Sequence, residues 1–373
     1  MTIRRVCSSC FEDTDLRRWI RETEGRRGCD ACGGFDSPTA ALSDVCRHIE
    51  ICLRKFWGFA VDQLPYESAE GGYQGETWMT GEVLFDEQEL SLPRDRGDRL
   101  YHAMLASLTD ETWCHWDWAS LSEDEALRMS WERFCEIVKH RRRFFFHAVG
   151  GTSEDRESYS AEAILRAIAT LSEQLGLVGE LPRDTLLWRA REIPKGKRVC
   201  ASDFGPPPKQ YALQTNRMNP PGIPMMYAAS TARTAKLETH AASARIGQWK
   251  TLRPARILDL RQPPNIPGIF SDATRHETLG MSFLWDFRAD IMRPVARDER
   301  AHIDYLPSQV VTEYLRDFEF EGGALDGIAY GSTVDSRGWN VALFVEPEDL
   351  GLPGNDEGEG RDPWLTFSHA IRA

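Results

Sequence analysis

The chain has 373 residues, enough for two domains that each bury a core of their own. Its 41% apolar content and 12 tryptophans exclude an intrinsically disordered protein, and its formal net charge of −13 argues against non-specific binding to nucleic acid or acidic membranes. No stretch reaches the ~18 consecutive apolar residues of a membrane span, and the start lacks the apolar core of a secretory signal. Nine cysteines, five of them scattered singly, suit a reducing cytoplasm better than a disulfide framework. We therefore expect a cytoplasmic protein that does not enter a membrane.

The first segment, residues 1–37, carries two closely spaced cysteine pairs. Cys7 pairs with Cys10 and Cys29 with Cys32, and 18 residues separate the pairs. Four thiolates in this pattern form the tetrahedral ligand set of a structural Zn²⁺ site, which leaves no open position for catalysis. Four unpaired thiols or a redox pair would also fit the spacing, but a redox pair needs a βαβ context that this segment lacks. The sequence predicts a zinc ribbon that helps a small segment to fold.

Residues 38–150 are predicted to form a helical domain. Apolar residues recur every three to four positions, the spacing of amphipathic helices, over residues 40–57, 99–113 and 126–146. Residues 139–143 form a basic cluster, for which a solvated helix face is favoured over a polyanion site.

A glycine-rich break near residue 150 marks the end of this domain. The next segment, residues 151–180, is predicted to be a connecting helix that Ser160 caps at its start and Gly176 ends.

Residues 181–348 alternate short apolar runs with Pro/Gly turns. Strands are predicted at residues 186–188, 225–227, 257–260 and 341–345, with helices at residues 231–244 and 308–317. This mixture indicates the α+β class. Residues 349–373 are predicted to form a C-terminal tail, mobile around the acidic, glycine-rich residues 354–360.

Five polar residues follow one another in recognisable local frames of this mixed segment. Arg189 follows a short apolar run, Arg217 opens an Arg-Met-Asn-Pro-Pro-Gly turn, and Tyr227 lies in the next strand. Glu238 comes eleven residues after the tyrosine, and Ser332 ends a Gly-Ile-Ala-Tyr-Gly-Ser frame. Arginine, glutamate and serine in this order resemble the RES family, which is named for them, over roughly residues 180–346.

The resemblance implies an ADP-ribosyltransferase-like core and an enzyme that destroys NAD⁺, as the family's toxins do. Arg189 and Arg217 are suited to grip phosphate oxygens, and Tyr227 to pack against nicotinamide or adenine. Glu238 can bind ribose hydroxyls and favour the cation that develops on the ribose, whereas Ser332 can contact a phosphate or position the nucleophile. Arg189, Glu238 and Ser332 are therefore the expected catalytic residues, and all five are expected NAD⁺ contacts.

Each of these residues has a plainer interpretation when it is taken alone. Arg189 can be a surface ion-pair partner, Glu238 a solvated helix residue, Tyr227 a core residue and Ser332 a turn residue; it is the ordered set that favours function. Two assignments also stay open, because Arg191 can share the face of Arg189 and Ser308 competes for the role of the family serine.

The sequence departs from the family pattern at two places. Ala190 stands where some relatives carry an aromatic residue, and the stretch between Glu238 and Ser332 is long. The additional residues, including 265–293, are expected to form a lid or a partner surface.

Cysteines, then helices, then a RES core also resemble the HEPN/RES N-terminal domain that is found fused to RES domains. True HEPN nucleases carry an arginine with a histidine four to six residues later, and Arg142 with His147 fits that spacing. Chance produces this match easily in such a basic stretch. RNA binding or cleavage by the N-terminal half is therefore kept as an alternative.

The expected function is that of an NAD⁺-consuming toxin or defence effector. It would cleave the nicotinamide–ribose bond by phosphorolysis, with inorganic phosphate as co-substrate, or by hydrolysis. A mono-ADP-ribosyltransferase acting on a protein and a catalytically silent interaction module are competing hypotheses. Uncontrolled cleavage of NAD⁺ endangers the host, so we also expect the activity to be controlled. The expected control is an antitoxin that covers the pocket or a trigger protein that residues 1–150 sense. The sequence is compatible with a homo-oligomer and gives no clear sign of a nucleic-acid partner.

Overall fold

The computed structural model describes residues 2–23, 25, 28–93, 97–144, 158–194, 196–239, 241, 243–295, 300–346, 349–351 and 363–372. Contacts between residues divide the chain into two units. One unit comprises Met1–Glu123 with Ile266–Leu279, and the other comprises Asp124–Asn265 with Gly280–Ala373. The five segments drawn from the sequence stay a prediction. None of the helices in the described ranges is long and apolar enough to span a bilayer.

Short elements build the N-terminal unit. Its helices are α1 (Thr14–Glu22), α2 (Leu42–Leu53), α3 (Ala60–Gln63), α4 (Thr80–Glu82) and α5 (Gly97–Leu105). Its strands are β1 (Arg5–Cys7), β2 (Thr39–Ala41), β3 (Trp57–Phe59), β4 (Tyr66–Glu67), β5 (Gly72–Tyr73), β6 (Trp78–Met79) and β7 (Thr112–His115). Strands β1–β2 and β4–β5 form antiparallel pairs, and β3-β7-β6 form a three-stranded sheet.

The predicted helix over residues 40–57 is confirmed in α2, whereas the one over residues 99–113 is partly wrong. Helix α5 ends at Leu105, and the following residues enter β7, where Trp113 is fully buried. Its indole Nε1 donates to the hydroxyl of Thr80 over 2.9 Å. Pairing with β3 and β6 and burial of the indole decide this strand, and neither is visible in a helical spacing of apolar residues.

A distant stretch of sequence completes the core of the N-terminal unit. The Phe270 side chain, 2% exposed, packs in the same cluster as the apolar face of α2. The Lys55 ammonium donates to the carbonyls of Ser271 and Ala273 over 2.7 and 2.8 Å. Part of the stretch 265–293, which was expected to form a lid or a partner surface, thus contributes to the core of this unit.

One mixed sheet dominates the second unit. Its described strands are β8 (Val178–Leu181), β9 (Leu186–Arg191), β10 (Met226–Ala229), β11 (Arg245–Thr251), β12 (Ala255–Asp259), β13 (Gly327–Gly331), β14 (Trp339–Leu343), β15 (Leu350–Gly351) and β16 (Leu365–Arg372). They follow one another in the order β15-β16-β11-β9-β10-β14-β13-β12-β8. The pairs β12–β13 and β15–β16 are parallel, and the other neighbours are antiparallel.

Helices cover this sheet, and an apolar cluster lies on each of its faces. The helices are α6 (Glu123–His140), α7 (Ala161–Gln174), α8 (Ala232–Thr239), α9 (Arg275–Met292), α10 (Ala301–Asp304) and α11 (Leu306–Asp317). Side chains of α6, α7, α9 and α11 pack with alternate residues of β12, β13 and β14, and the intervening strand residues pack on the opposite face. The α+β class is confirmed.

Several of these elements follow local signals along the chain. Ser160 caps α7 by accepting from the Ala163 amide over 3.1 Å, and Gly176 takes a φ of 75° after its end, as predicted. All four predicted strands and both predicted helices of residues 181–348 are present. Residues 354–360 lie outside the described chain, but the tail ends in β16, which pairs along β11.

Candidate functional site

Two central strands in the sheet of the second unit pair over a very short length. Strands β9 and β10 share a single pair, Trp188 opposite Ala229, within the described chain. Because the strands are antiparallel, residues 189–191 of β9 and 226–228 of β10 run side by side without pairing after that point. Backbone groups that leave the ladder inside a sheet need other partners, so the residues around this junction are candidates for a functional role.

Arg189 directly follows this single pair on β9. Its Nη1 atom is buried and has no hydrogen-bond partner among the described residues. Burial lowers the pKa of its guanidinium well below the usual value, the neighbouring Arg191 lowers it further, and Tyr227 acts in the opposite direction. Because arginine stays protonated in proteins, this direction means that its charge lacks compensation.

Arg191 lies on the same strand and is more firmly held. Its Nη2 donates to the carbonyl of Gly205 over 3.2 Å, next to the 3-10 turn Ala201–Phe204. Burial also lowers the pKa of this guanidinium, while Asp203 raises it. Two arginines therefore lie on the part of β9 that follows its single pair with β10.

Glu238 and Ser332 are in direct contact, although 94 residues separate them. The Ser332 hydroxyl donates to Glu238 Oε1 over 2.7 Å. The Asn340 amide Nδ2 donates to the same oxygen over 2.6 Å. Helix α8, strand β14 and the loop after β13 thus meet at one carboxylate. Sequence reasoning missed Asn340; its one signal was a polar residue beside the apolar run Val341–Phe344.

The Ser332 hydroxyl is fully engaged. Besides donating to Glu238, it accepts from the amides of Val334 and Asp335 over 3.2 and 3.1 Å. A hydroxyl has one proton and two lone pairs, so this arrangement saturates it. In this geometry Ser332 positions the glutamate and leaves no proton for a phosphate.

Two tyrosines lie beside this carboxylate cluster. Tyr227 donates its phenol to Asn219 Oδ1 over 2.7 Å and accepts from the Met218 amide over 3.1 Å. Burial, and then Tyr330, raises the pKa of Tyr227 well above its usual value, against the lowering influence of Arg189. Burial also raises the pKa of Tyr330, which Glu238 raises further. Both rings are therefore neutral, and the phenol of Tyr227 is already paired.

Arg217 and Ser308 form hydrogen bonds with backbone carbonyls in another part of the fold. Arg217 donates to the carbonyls of Ile291 and Arg293, at the C-terminal end of α9, and its guanidinium lies 5.5 Å from the centre of the Tyr305 ring. Ser308, on α11, donates to the carbonyl of Arg217. Neither is part of the hydrogen-bonded cluster around Glu238.

The five predicted residues thus fall into three groups. Glu238 and Ser332 touch; Arg189 and Tyr227 influence each other's pKa values; and Arg217 is engaged at the end of α9. The assignment of all five to one substrate site stays a prediction.

The four predicted metal ligands come together in the N-terminal unit. The sulfurs of Cys7, Cys10, Cys29 and Cys32 all lie within 4.8 Å of one another. Three of the sulfur pairs are 3.6 Å apart. Four sulfurs at ~2.3 Å from a tetrahedral Zn²⁺ would be about 3.8 Å apart, so the cluster could bind a metal such as zinc.

Backbone groups support this cysteine cluster. The Gly34 amide points at Cys32 Sγ over 3.4 Å, and Gly33 has a φ of 71°, which favours glycine. The other chemical hypothesis for this half of the chain, an Arg142–His147 pair, cannot be placed, because His147 lies outside the described residues.

Comparison with protein families matches both halves of the chain. Residues 186–357 match the RES domain, and residues 22–151 match HEPN/RES N-terminal domain 1. The first match contains all five predicted site residues, and the second begins between the two cysteine pairs. No curated protein and no solved structure gives a match. The predicted family is confirmed, whereas the likeness to ADP-ribosyltransferases stays an expectation.

Proposed function

Because the chain joins a HEPN/RES N-terminal domain to a RES domain, we propose that it is an enzyme that cleaves the nicotinamide–ribose bond of NAD⁺. The observation that carries the proposal is a carboxylate fixed by two donors in the same unit as a buried arginine whose Nη1 lacks a partner among the described residues. NAD⁺ carries a partner for each of these groups. Its pyrophosphate is an anion that the arginine can bind, and its ribose becomes positively charged during cleavage and can be stabilised by the carboxylate.

Arg189 is the proposed pyrophosphate contact. A buried guanidinium with an unsatisfied N–H gains a charge-assisted hydrogen bond when a phosphate oxygen arrives, without giving up a bond inside the protein. Arg217 is the weaker candidate, since it must first release a carbonyl at the end of α9. Arg191 adds positive charge on the side of Arg189.

Glu238 is the proposed group that stabilises the transition state. When the C1′–N bond breaks, its electron pair goes to the pyridinium nitrogen, so nicotinamide departs neutral and needs no acid. Positive charge develops on the ribose, as in glycoside cleavage. A carboxylate already held in place by Ser332 and Asn340 meets that charge without reorganising first.

The neutral tyrosines complete the proposed site. Tyr227 and Tyr330 present buried aromatic surface near the carboxylate, against which the flat nicotinamide can pack. Because the Tyr227 phenol is paired with Asn219, its ring, rather than its hydroxyl, is the proposed contact.

The incoming nucleophile distinguishes the variants of this reaction. An oxygen of inorganic phosphate gives ADP-ribose 1″-phosphate; water gives ADP-ribose after losing a proton; and a protein side chain gives a mono-ADP-ribosylated acceptor. We favour phosphate, because the two partly buried arginines of β9 supply more positive charge than one pyrophosphate contact uses.

A test follows nicotinamide release by the full-length protein, with and without inorganic phosphate. The Glu238→Gln variant keeps an oxygen that accepts from Ser332 and Asn340 but loses the charge, so it should fold and turn over about 100-fold more slowly. Glu180→Gln, at an exposed position of β8, is the matched control and should behave as wild type.

Full activity of Glu238→Gln would refute the role of the carboxylate. If the wild type releases no nicotinamide and does not lower NAD⁺ in cells that express it, the proposed function itself fails. Acceleration by phosphate identifies phosphorolysis, acceleration by an added acceptor protein identifies ADP-ribosyl transfer, and release that depends on neither identifies hydrolysis.

The biological role that fits this chemistry is that of a toxin or defence effector under control. Unrestrained loss of NAD⁺ would kill the host cell, so an antitoxin or a trigger protein belongs to the proposal. The cysteine cluster is proposed to hold Zn²⁺ as a structural ion, since four sulfur ligands leave no position for a substrate.

A further inference from the structure

We propose that Asn340 is a positioning residue that sets the orientation of the Glu238 carboxylate for the cleavage step. This inference rests on the proposed function. It adds a residue that acts through Glu238 and makes no contact of its own with the reacting atoms.

The backbone around Asn340 fixes where its side chain goes. Asn340 is in the middle strand of three, with Ala229 of β10 on one side and Tyr330 of β13 on the other. It is 7% exposed, so its amide has little freedom to turn. Because cross-strand partners project from the same face of a sheet, Asn340 and Tyr330 lie together beneath Glu238.

Two donors from different elements meet on one oxygen. Asn340 reaches Oε1 of Glu238 from the sheet, and Ser332 reaches the same atom from the loop after β13. A carboxylate on a rotatable side chain is held in one orientation by two such directional bonds. Losing the sheet-side donor removes one of these two bonds.

Burying an asparagine side chain at this position costs free energy, and packing of the fold does not require a polar residue here. Its strand neighbours Val341, Ala342 and Leu343 are buried and apolar. A polar amide buried among such residues is unfavourable unless it is hydrogen-bonded, so an apolar residue would serve packing as well or better. The bond to Glu238 is what offsets this cost.

The test compares Asn340→Ala and Asn340→Asp in the full-length protein. Without the amide donor, kcat should fall about 100-fold, the scale of loss for a misplaced reacting group, while KM changes far less. Thr251→Ala is the matched control: Thr251 is fully buried in the same sheet and donates to the Pro182 carbonyl, so this variant should lose stability and keep kcat.

The pH profile separates positioning from packing. In Asn340→Asp, two carboxylates share one site and the pKa of one of them rises. Below that pKa the new acid can donate an O–H to Glu238 in place of the lost amide. As the pH falls, the activity of Asn340→Asp relative to wild type should therefore rise by at least about tenfold, the factor that corresponds to one pKa unit. The relative activity of Asn340→Ala should not rise.

Few other described groups around this carboxylate change charge in the acidic range. Tyr330, on β13, has its pKa raised by burial and stays neutral. Asp335, in the loop after β13, has its pKa lowered by a hydrogen bond from the hydroxyl of Thr234, on α8. The charge of Arg217 lowers the pKa of Tyr330, against the effect of burial.

The possible outcomes distinguish a failure of this inference from a failure of the proposed function. If Glu238→Gln loses activity but Asn340→Ala keeps it, the inference is wrong and the proposed function stands. If Asn340→Asp shows no recovery at low pH, the amide acts by packing, and the positioning role is also wrong. If Glu238→Gln keeps activity, the proposed function falls first and the inference with it. The inference is supported if activity recovers at low pH in Asn340→Asp and does not recover in Asn340→Ala.

Discussion

Replacing Arg189 by methionine should stabilise the substrate-free protein while it removes activity. Methionine follows the course of the arginine stem but carries no charge and no N–H. The Nη1 atom of Arg189 is buried without a partner among the described residues, and an unsatisfied buried polar group costs about 1–3 kcal/mol. For a folded unit of about 150–250 residues, each kcal/mol shifts Tm by about 2–4 °C. We therefore expect Tm of the Arg189→Met variant to rise by about 2–12 °C.

The assay is a thermal melt of both proteins without ligand, beside nicotinamide release. Arg253→Met is the matched control, because Arg253 makes a two-pronged ion pair with Asp326 over 2.8 and 2.7 Å. Removal of this paired arginine should lower Tm and leave activity intact. The two substitutions thus have the same chemistry and opposite expected signs.

Ligand dependence strengthens the comparison. In a Glu238→Gln background, in which NAD⁺ is consumed slowly, added NAD⁺ should raise Tm, because a ligand stabilises the state that binds it. The same addition should leave Tm unchanged once Arg189→Met is combined with Glu238→Gln. A lower Tm for ligand-free Arg189→Met would show that the arginine is a structural residue, and the reasoning that assigns it to a substrate anion would be refuted.

Two further predictions concern the metal cluster and acid stability. Replacing Cys29 and Cys32 by serine should release one equivalent of zinc, measured by elemental analysis, and should lower the Tm of the N-terminal unit; retained zinc would contradict the assignment. Burial alone would raise the pKa of Asp203, but hydrogen bonds from the Cys200 amide and Lys197 lower it to about 2. This carboxylate therefore contributes stability that is complete above its unfolded pKa of 3.8 and is lost as pH falls towards about 2. Melts between about pH 5 and pH 2 should show a smaller acid loss for Asp203→Asn, and an unchanged loss would contradict this account.

Local signals along the chain predicted much of the second unit. Apolar runs, turn residues and caps depend on neighbours in sequence, which is why α7 and the strands around Arg189, Tyr227 and Asn340 could be placed. The cysteine cluster could be predicted for a similar reason, since the ligand spacing reflects metal geometry directly.

Contacts between distant residues were not predictable in the same way. The short pairing of β9 with β10 depends on the order of the whole sheet, which no local pattern encodes. The bond from Asn340 to Glu238 spans 102 residues and involves an amide that a sequence shows only as one polar residue in a strand. Trp113 was assigned to a helix because its partners in β3 and β6 lie far away in sequence.

The divided N-terminal unit has a consequence for how the protein is made. Its core needs Phe270, which belongs to the stretch Ile266–Leu279, whereas its first stretch ends at Glu123. At about 5–20 residues per second, a ribosome reaches the second stretch roughly 7–30 s after it has finished the first. The first stretch of the chain therefore cannot complete its core until after strands β8 to β12 of the second unit have been synthesised.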